Sequence, residues 1–143
     1  MKKRMILPLI LLTLLLAAPS IQAADTYTVV RVSTPLIFSG AATVRLGEFS
    51  PQLRPSLQAE IGVGGGRLAV GYDNIGLKRI GYGLKATLLH TWLEPLDVDR
   101  DQSFLGLEAE LSVRRLLVNV GGFRRVSAGD DDWLVSAGLG FIF

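Results

Sequence analysis

From residue 53 to the C-terminus, apolar and polar side chains alternate with a period of two. In SFLGLEAELSV, Leu105, Leu107, Ala109, Leu111 and Val113 share one face, and Gly106, Glu108, Glu110 and Ser112 share the other. In PSLQAEIGV, Leu57, Ala59, Ile61 and Val63 oppose Ser56, Gln58, Glu60 and Gly62. In IGYGLKATLLHTW, Ile80, Tyr82, Leu84, Ala86 and Leu88 oppose Gly81, Gly83, Lys85 and Thr87. A helix of period 3.6 would mix these sets, whereas a strand keeps them apart.

The pattern predicts six strands, at about 53 to 63, 67 to 75, 79 to 92, 103 to 113, 116 to 126 and 133 to 143. AATVRLGEF makes a seventh, with Ala42, Val44 and Leu46 against Thr43, Arg45 and Gly47, and TYTVVRVS an eighth. Ser33 to Gly40 contains Pro35 and no clean alternation, so it reads as a connection. Gly64 to Gly66, Arg114-Arg115 and Ala128 to Asp132 fall where turns are needed; Gly-Gly is favourable turn chemistry and Arg-Arg is not. A two-residue turn at Arg114-Arg115 pairs Val113 with Leu116 and Glu110 with Asn119, so the faces agree across the hairpin. Extending the preceding hairpin puts Lys85 roughly across from Glu110.

The N-terminal stretch follows another pattern. MKKRMILPLILLTLLLAAPSIQAAD has a basic start, an apolar run from Met5 to Ala18 and a small-residue end. That is the layout of a secretory signal, with cleavage expected after Ala23 or Ala24. The run is short for a spanning helix and is broken by Pro8 and Pro19. Residues 1–23 are therefore expected to be removed and 24–143 to form one domain.

Setting the signal aside changes the charge. The precursor is formally +2, but the remaining chain has twelve Lys and Arg against thirteen Asp and Glu, a net of −1. The basic pI of the precursor therefore supports no nucleic-acid partner, and no basic patch is interleaved with aromatics. The absence of cysteine removes a disulfide scaffold, a thiol nucleophile and cysteine metal sites. Neither a metal nor a cofactor is expected.

An antiparallel meander of about eight strands leaves no unpaired edge if it closes. A soluble lipocalin-like barrel would put the apolar face inside, and a membrane barrel would put it outside. The polar faces here carry many glycines, among them Gly71, Gly81, Gly106, Gly121 and Gly138, which suits a narrow interior. Trp92, Phe104 and Trp133 fall towards one rim and Tyr72, Tyr82, Phe141 and Phe143 towards the other, as in the two aromatic girdles of a membrane barrel. The chain ends in WLVSAGLGFIF, with Val135, Ala137, Leu139, Phe141 and Phe143 on one face and Ser136, Gly138 and Gly140 behind.

In its signal, its strand pattern and this ending, the chain resembles the small outer-membrane β-barrel proteins of Gram-negative bacteria. The resemblance implies an all-β, closed, up-and-down transmembrane barrel of about eight strands in the bacterial outer membrane. It implies contact with outer-membrane lipid and lipopolysaccharide, and an assembly signal at Phe141 and Phe143 read by the barrel-assembly machinery. With both termini periplasmic, loops near 33–40, 64–66, 93–102 and 127–132 face outward, and those near 50–54, 76–78 and 114–115 face inward.

The interior is then expected to hold Arg45, Gln58, Glu60, Asp73, Lys85, Glu108, Glu110 and Asn119. Unpaired charges in a narrow lumen are costly, so these should join in ion pairs and hydrogen bonds that fill the barrel. The alternative for the same residues is a narrow polar pore or proton relay. Tyr72, Tyr82, Trp92 and Trp133 are the girdle residues.

His90 is the only histidine, with Ser103 and Glu94 close in sequence. Lipid A-modifying enzymes of the outer membrane use histidine with serine and an acidic residue, yet Thr91-Trp92 follows His90 and no His-x-Ser motif is present. By parity His90 faces the lipid with Leu88 and Trp92, so a non-catalytic interfacial histidine is expected. Asp97, Asp99, Asp101 and Glu108 match positions 1, 3, 5 and 12 of an EF-hand loop, but Gln102 stands where glycine is needed. The reading is a non-enzymatic barrel of structural, adhesive or interaction type. Its alternatives are a lipid A-modifying hydrolase or acyltransferase and a soluble periplasmic lipocalin-like binder.

Overall fold

The computed structural model describes residues 25–46, 53–76, 79–94, 98–129 and 131–143; the segment 1–23, expected to be a signal, lies outside them. Eight strands are present: β1 Asp25–Ser33, β2 Ile37–Arg45, β3 Arg54–Gly62, β4 Gly65–Asp73, β5 Ile80–Thr91, β6 Gln102–Val113, β7 Leu116–Arg125 and β8 Trp133–Ile142. Each pairs antiparallel with the next, and β8 pairs with β1, so the sheet closes into an eight-stranded up-and-down barrel. Closure satisfies the backbone of every strand without a free sheet edge running the length of the molecule.

Alternation fixes which side chains enter. Along β5, Gly81, Gly83, Lys85, Thr87 and Leu89 are buried, and Ile80, Tyr82, Leu84, Ala86 and Leu88 are exposed. The expected pairs Val113 with Leu116 and Glu110 with Asn119 are both present. In the β5–β6 ladder, however, Lys85 stands opposite Glu108, and Gly83 opposite Glu110. The hairpin loop keeps its ten residues but lies one position earlier, at 92–101 in place of 93–102, and the resulting shift in pairing is even, so every side chain keeps its face.

Two connections are shorter than the sequence pattern predicts. Ser33 to Gly40 is not a long connection: β1 and β2 are joined by Thr34 to Leu36, Phe38, Ser39 and Gly40 are already in register with β1, and Ser39 and Gly40 with β3. Pro35 sits in the turn, where its missing N–H disturbs no ladder bond. β4 likewise starts at Gly65, so only Val63 and Gly64 link it to β3.

The small inner residues are required by close approach of neighbouring strands. A Cβ on Gly71 would lie 2.1 Å from the Leu84 carbonyl oxygen, and one on Gly106 would lie 2.0 Å from that of Gly122. In both cases the obstacle is backbone, which cannot rotate away. Gly71→Ala is expected to destabilise the barrel by about 1–3 kcal/mol, the usual cost of forced overpacking. Urea titration of the variant against the parent checks this.

Two apolar clusters occupy the ends of the interior. Tyr27, Val29, Ala41, Ile75, Leu117 and Ile142 lie near the end where Asp25 and Phe143 stand, called the terminal end below. Leu36, Leu89, Phe104 and Phe123 close the opposite end, with Val98 and Leu134 against them. Phe104 is thus an inner residue and not part of an outer aromatic rim, as its parity with Glu108 and Glu110 requires.

Candidate functional site

The interior between the two clusters is polar. Its charged residues are Arg31, Arg45, Arg67 and Lys85 with Glu60, Asp73, Glu108 and Glu110, each at most 4% exposed. Four cations meet four carboxylates, so the buried charge sums to zero.

They form one connected network. Arg67 donates from Nε to Glu60 at 2.6 Å and from Nη1 to Glu108. Arg31 reaches Glu108 at 3.4 Å, Glu110 at 3.2 Å and Glu60 at 3.5 Å, linking carboxylates from β3 and β6. Lys85 donates to Glu110 at 2.6 Å and to the Gln58 side-chain oxygen at 3.1 Å, and lies 3.6 Å from Asp73. Arg45 donates to Asp73 at 2.8 Å and to Asp25 at 3.0 Å, carrying the chain of pairs to the mouth at the terminal end. The Tyr27 hydroxyl donates to Asp73, and its ring lies under the Arg45 guanidinium at 4.6 Å.

This arrangement answers the cost of burying charge. Each carboxylate is shared between cations or hydrogen-bond donors, and planar guanidiniums of Arg31 and Arg67 bridge residues that the strands hold apart. Ser39 donates a further hydrogen bond to Glu60. An eight-stranded barrel has an interior just wide enough for side chains, and these fill it.

Arg45, Glu60, Lys85, Glu108, Glu110 and Asn119 all point inward and are buried. Asn119 stands apart from the ion pairs: it pairs across the ladder with Glu110 on one side and Gly138 on the other, and its side-chain amide has no hydrogen-bond partner among the described residues. Sequence reasoning missed Arg31 and Arg67, the two residues that join the network together. The signal was present: Arg67 shares its parity with Asp73 in β4, and Arg31 shares its parity with Tyr27 and the small Ser33 in β1.

The outer wall is the reverse of the interior. Val30, Val32, Leu57, Leu68, Val70, Leu84, Leu105, Leu107, Leu111, Val118 and Leu139 are all exposed. Exposed aromatics gather at its two ends, Tyr72, Tyr82, Phe141 and Phe143 at the terminal end and Phe38, Trp92 and Trp133 at the other. The Trp92 indole N–H donates to the Val63 carbonyl at 2.9 Å. Phe141 and Phe143 pack edge to face with centroids 5.2 Å apart, and the Phe143 N–H donates to Thr28 across the seam.

On this wall His90 Nδ1 lies 3.0 Å from the Ser103 hydroxyl, its cross-strand neighbour. Glu94 does not complete a triad; it pairs with Arg100 at 2.9 Å. The residues compared with a calcium loop do not converge either: Glu108 is inside the barrel, Asp99 and Asp101 are on the surface, and Asp97 lies outside the described residues. Near the end of β7 Arg124 donates to both oxygens of Asp131 in the β7–β8 loop, at 2.7 and 2.5 Å. These hydrogen bonds hold the Asp131 carboxyl below its ordinary value.

No protein-family model, curated protein or solved structure matches the chain.

Proposed function

We propose that this chain is a small outer-membrane β-barrel of Gram-negative bacteria, exported through a cleaved signal. Its lumen is closed by its own ion pairs, and its role is structural, adhesive or interactive, carried by the acidic loops at the end away from the termini. One observation carries the reading: every buried charged side chain among the described residues points into the barrel, while the wall is covered with exposed Leu, Val, Ile and aromatic residues. In water that arrangement exposes the apolar surface and buries the charge; in lipid the apolar wall is solvated and closed strands satisfy the backbone. Bands of exposed aromatics at both ends fit the two interfaces. A soluble lipocalin-like binder needs the opposite sidedness.

The reading is tested by fractionation. The protein is expected in the outer-membrane fraction, resistant to extraction by high salt, with a gel mobility that changes on heating. Recovery from the soluble periplasm would refute it. In planar bilayers the purified barrel is expected to give no steady conductance, because ion-paired side chains fill its interior.

A second reading is favoured by the His90–Ser103 contact at 3.0 Å, which places a base and a hydroxyl on the lipid-facing wall near the loop end. A lipid A-modifying hydrolase or acyltransferase would use Ser103 as nucleophile and His90 as its base. Among the described residues the ring has no carboxylate to orient it, so this reading stands second. Lipid A acyl chains that change with the parent protein and not with His90→Ala would bring it first.

A further inference from the structure

Eleven lysine and arginine side chains lie among the described residues, and eight of them are within ion-pair distance of a carboxylate. The remaining three are Arg79, Arg114 and Arg115, which have no such partner among the described residues. Solvent exposure does not explain the difference. At the loop end the exposed Arg100 and Arg124 are paired with Glu94 and Asp131, and the half-buried Arg125 with Asp132.

The three unpaired arginines are also neighbours. Arg114 and Arg115 form the β6–β7 turn, and Arg79 immediately precedes β5; the Arg114 N–H donates to the Arg79 carbonyl at 2.7 Å, tying the two segments together. Arg114 occupies the left-handed region, with φ 57°. Glycine or asparagine would take that conformation at lower cost, so the backbone gives no reason for arginine there. A cavity of about 240 Å³ opens at the same mouth, lined in part by Arg45, Arg114 and Arg115; Asp25, which also lines it, is engaged by Arg45 and Arg54. Directly beyond the arginines the outer wall presents Ile80, Val113 and Leu116, which are cross-strand neighbours, flanked by Tyr82 and Phe141.

We infer that Arg79, Arg114 and Arg115 with this apolar wall form a binding site for an anionic phospholipid at the terminal end of the barrel. The guanidiniums present donors that match phosphate oxygens, while the acyl chains lie along Ile80, Val113 and Leu116. The adjacent aromatics sit at headgroup depth. Basic residues close to an anionic leaflet are attracted to it, and here no protein carboxylate among the described residues competes for them. The inference rests on the membrane reading above.

The test uses the mature chain refolded first into phosphatidylcholine vesicles, where the heat-dependent mobility shift reports insertion independently of lipid charge. Lipid adducts are then compared by native mass spectrometry from micelles containing phosphatidylglycerol or phosphatidylcholine. Phosphatidylglycerol is expected to be preferred by about tenfold, and the preference to disappear in the triple variant R79Q/R114G/R115Q and at high salt. Arg114→Gly alone suits the backbone at that position, so a weakened preference in this variant cannot be ascribed to misfolding. Arg100→Gln at the other end should leave it unchanged. Insertion without any preference for phosphatidylglycerol, or a preference that survives the triple variant, overturns the inference and leaves the membrane reading intact. So does full displacement of the lipid by inorganic phosphate, which would make the site one for the free anion.

Discussion

Replacing Arg31 by methionine is expected to cost about 3–5 kcal/mol of barrel stability, the range seen when one partner of a buried charge network is removed. Among the described residues Arg31 is the only side chain within ion-pair distance of Glu60, Glu108 and Glu110 together. Without it, three inner cations face four carboxylates, and the excess negative charge is buried away from solvent. The double variant K85M/E110Q is the control. It removes one charge of each sign, leaves three cations with three carboxylates, and should differ from the parent by only about 1 kcal/mol, since a buried pair replaced as a unit is often neutral. Urea unfolding of the three proteins in the same vesicles, extrapolated linearly, measures both effects. An Arg31→Met variant as stable as the parent would show that the lumen is solvated well enough to carry unbalanced charge, and the closed-lumen reading would fail.

The second large effect belongs to the outer wall. Leu107 is 60% exposed at mid-height of β6, between Ala86 and Gly122 of the neighbouring strands. In lipid, Leu107→Arg should cost about 2–4 kcal/mol, while the same change at Leu116 near the rim should cost about 0–1 kcal/mol. In water both substitutions would fall within about 0.5 kcal/mol of the parent, as surface changes usually do. Unfolding free energies of the two variants in phosphatidylcholine vesicles separate the cases. Equal, negligible effects at Leu107 and Leu116 would argue for a barrel that sits in water.

Both effects follow from one alternation read from two sides, and that alternation was visible in the residues. In β5 and β6 the period of two holds from Ile80 to Leu88 and from Leu105 to Val113, so the strands, their faces and the inward placement of Lys85, Glu108 and Glu110 could be read directly. The hairpin at Arg114-Arg115 could be registered too, because its two-residue loop leaves one pairing that keeps both faces consistent. β2 was harder. Its start, Ile37 to Gly40, follows a proline and mixes Phe38 with Ser39 and Gly40, and only pairing with β1 and β3 makes that stretch a strand.

Phe104 shows where type misleads and parity does not. An aromatic near a rim invites placement in the girdle, but its neighbours Leu105 and Leu107 point outward, so Phe104 must point in, where it packs with Leu89 and Phe123. His90 and Ser103 show the converse: each was legible as an outward residue, yet their 3.0 Å contact depends on a cross-strand register that a ten-residue loop left undetermined.

The sequence by itself determined the period, and with it the strands, the inner and outer faces, and the need for buried charges to find partners. These are local properties, because a side chain's face depends only on counting along its own strand. Which charge meets which was decided by the closed barrel alone. Closure brings β1 against β8 and turns Arg31 towards Glu60 of β3 and towards Glu108 and Glu110 of β6, residues up to 79 positions away in the chain. It also left Arg79, Arg114 and Arg115 together at one mouth, a grouping no stretch of sequence contains.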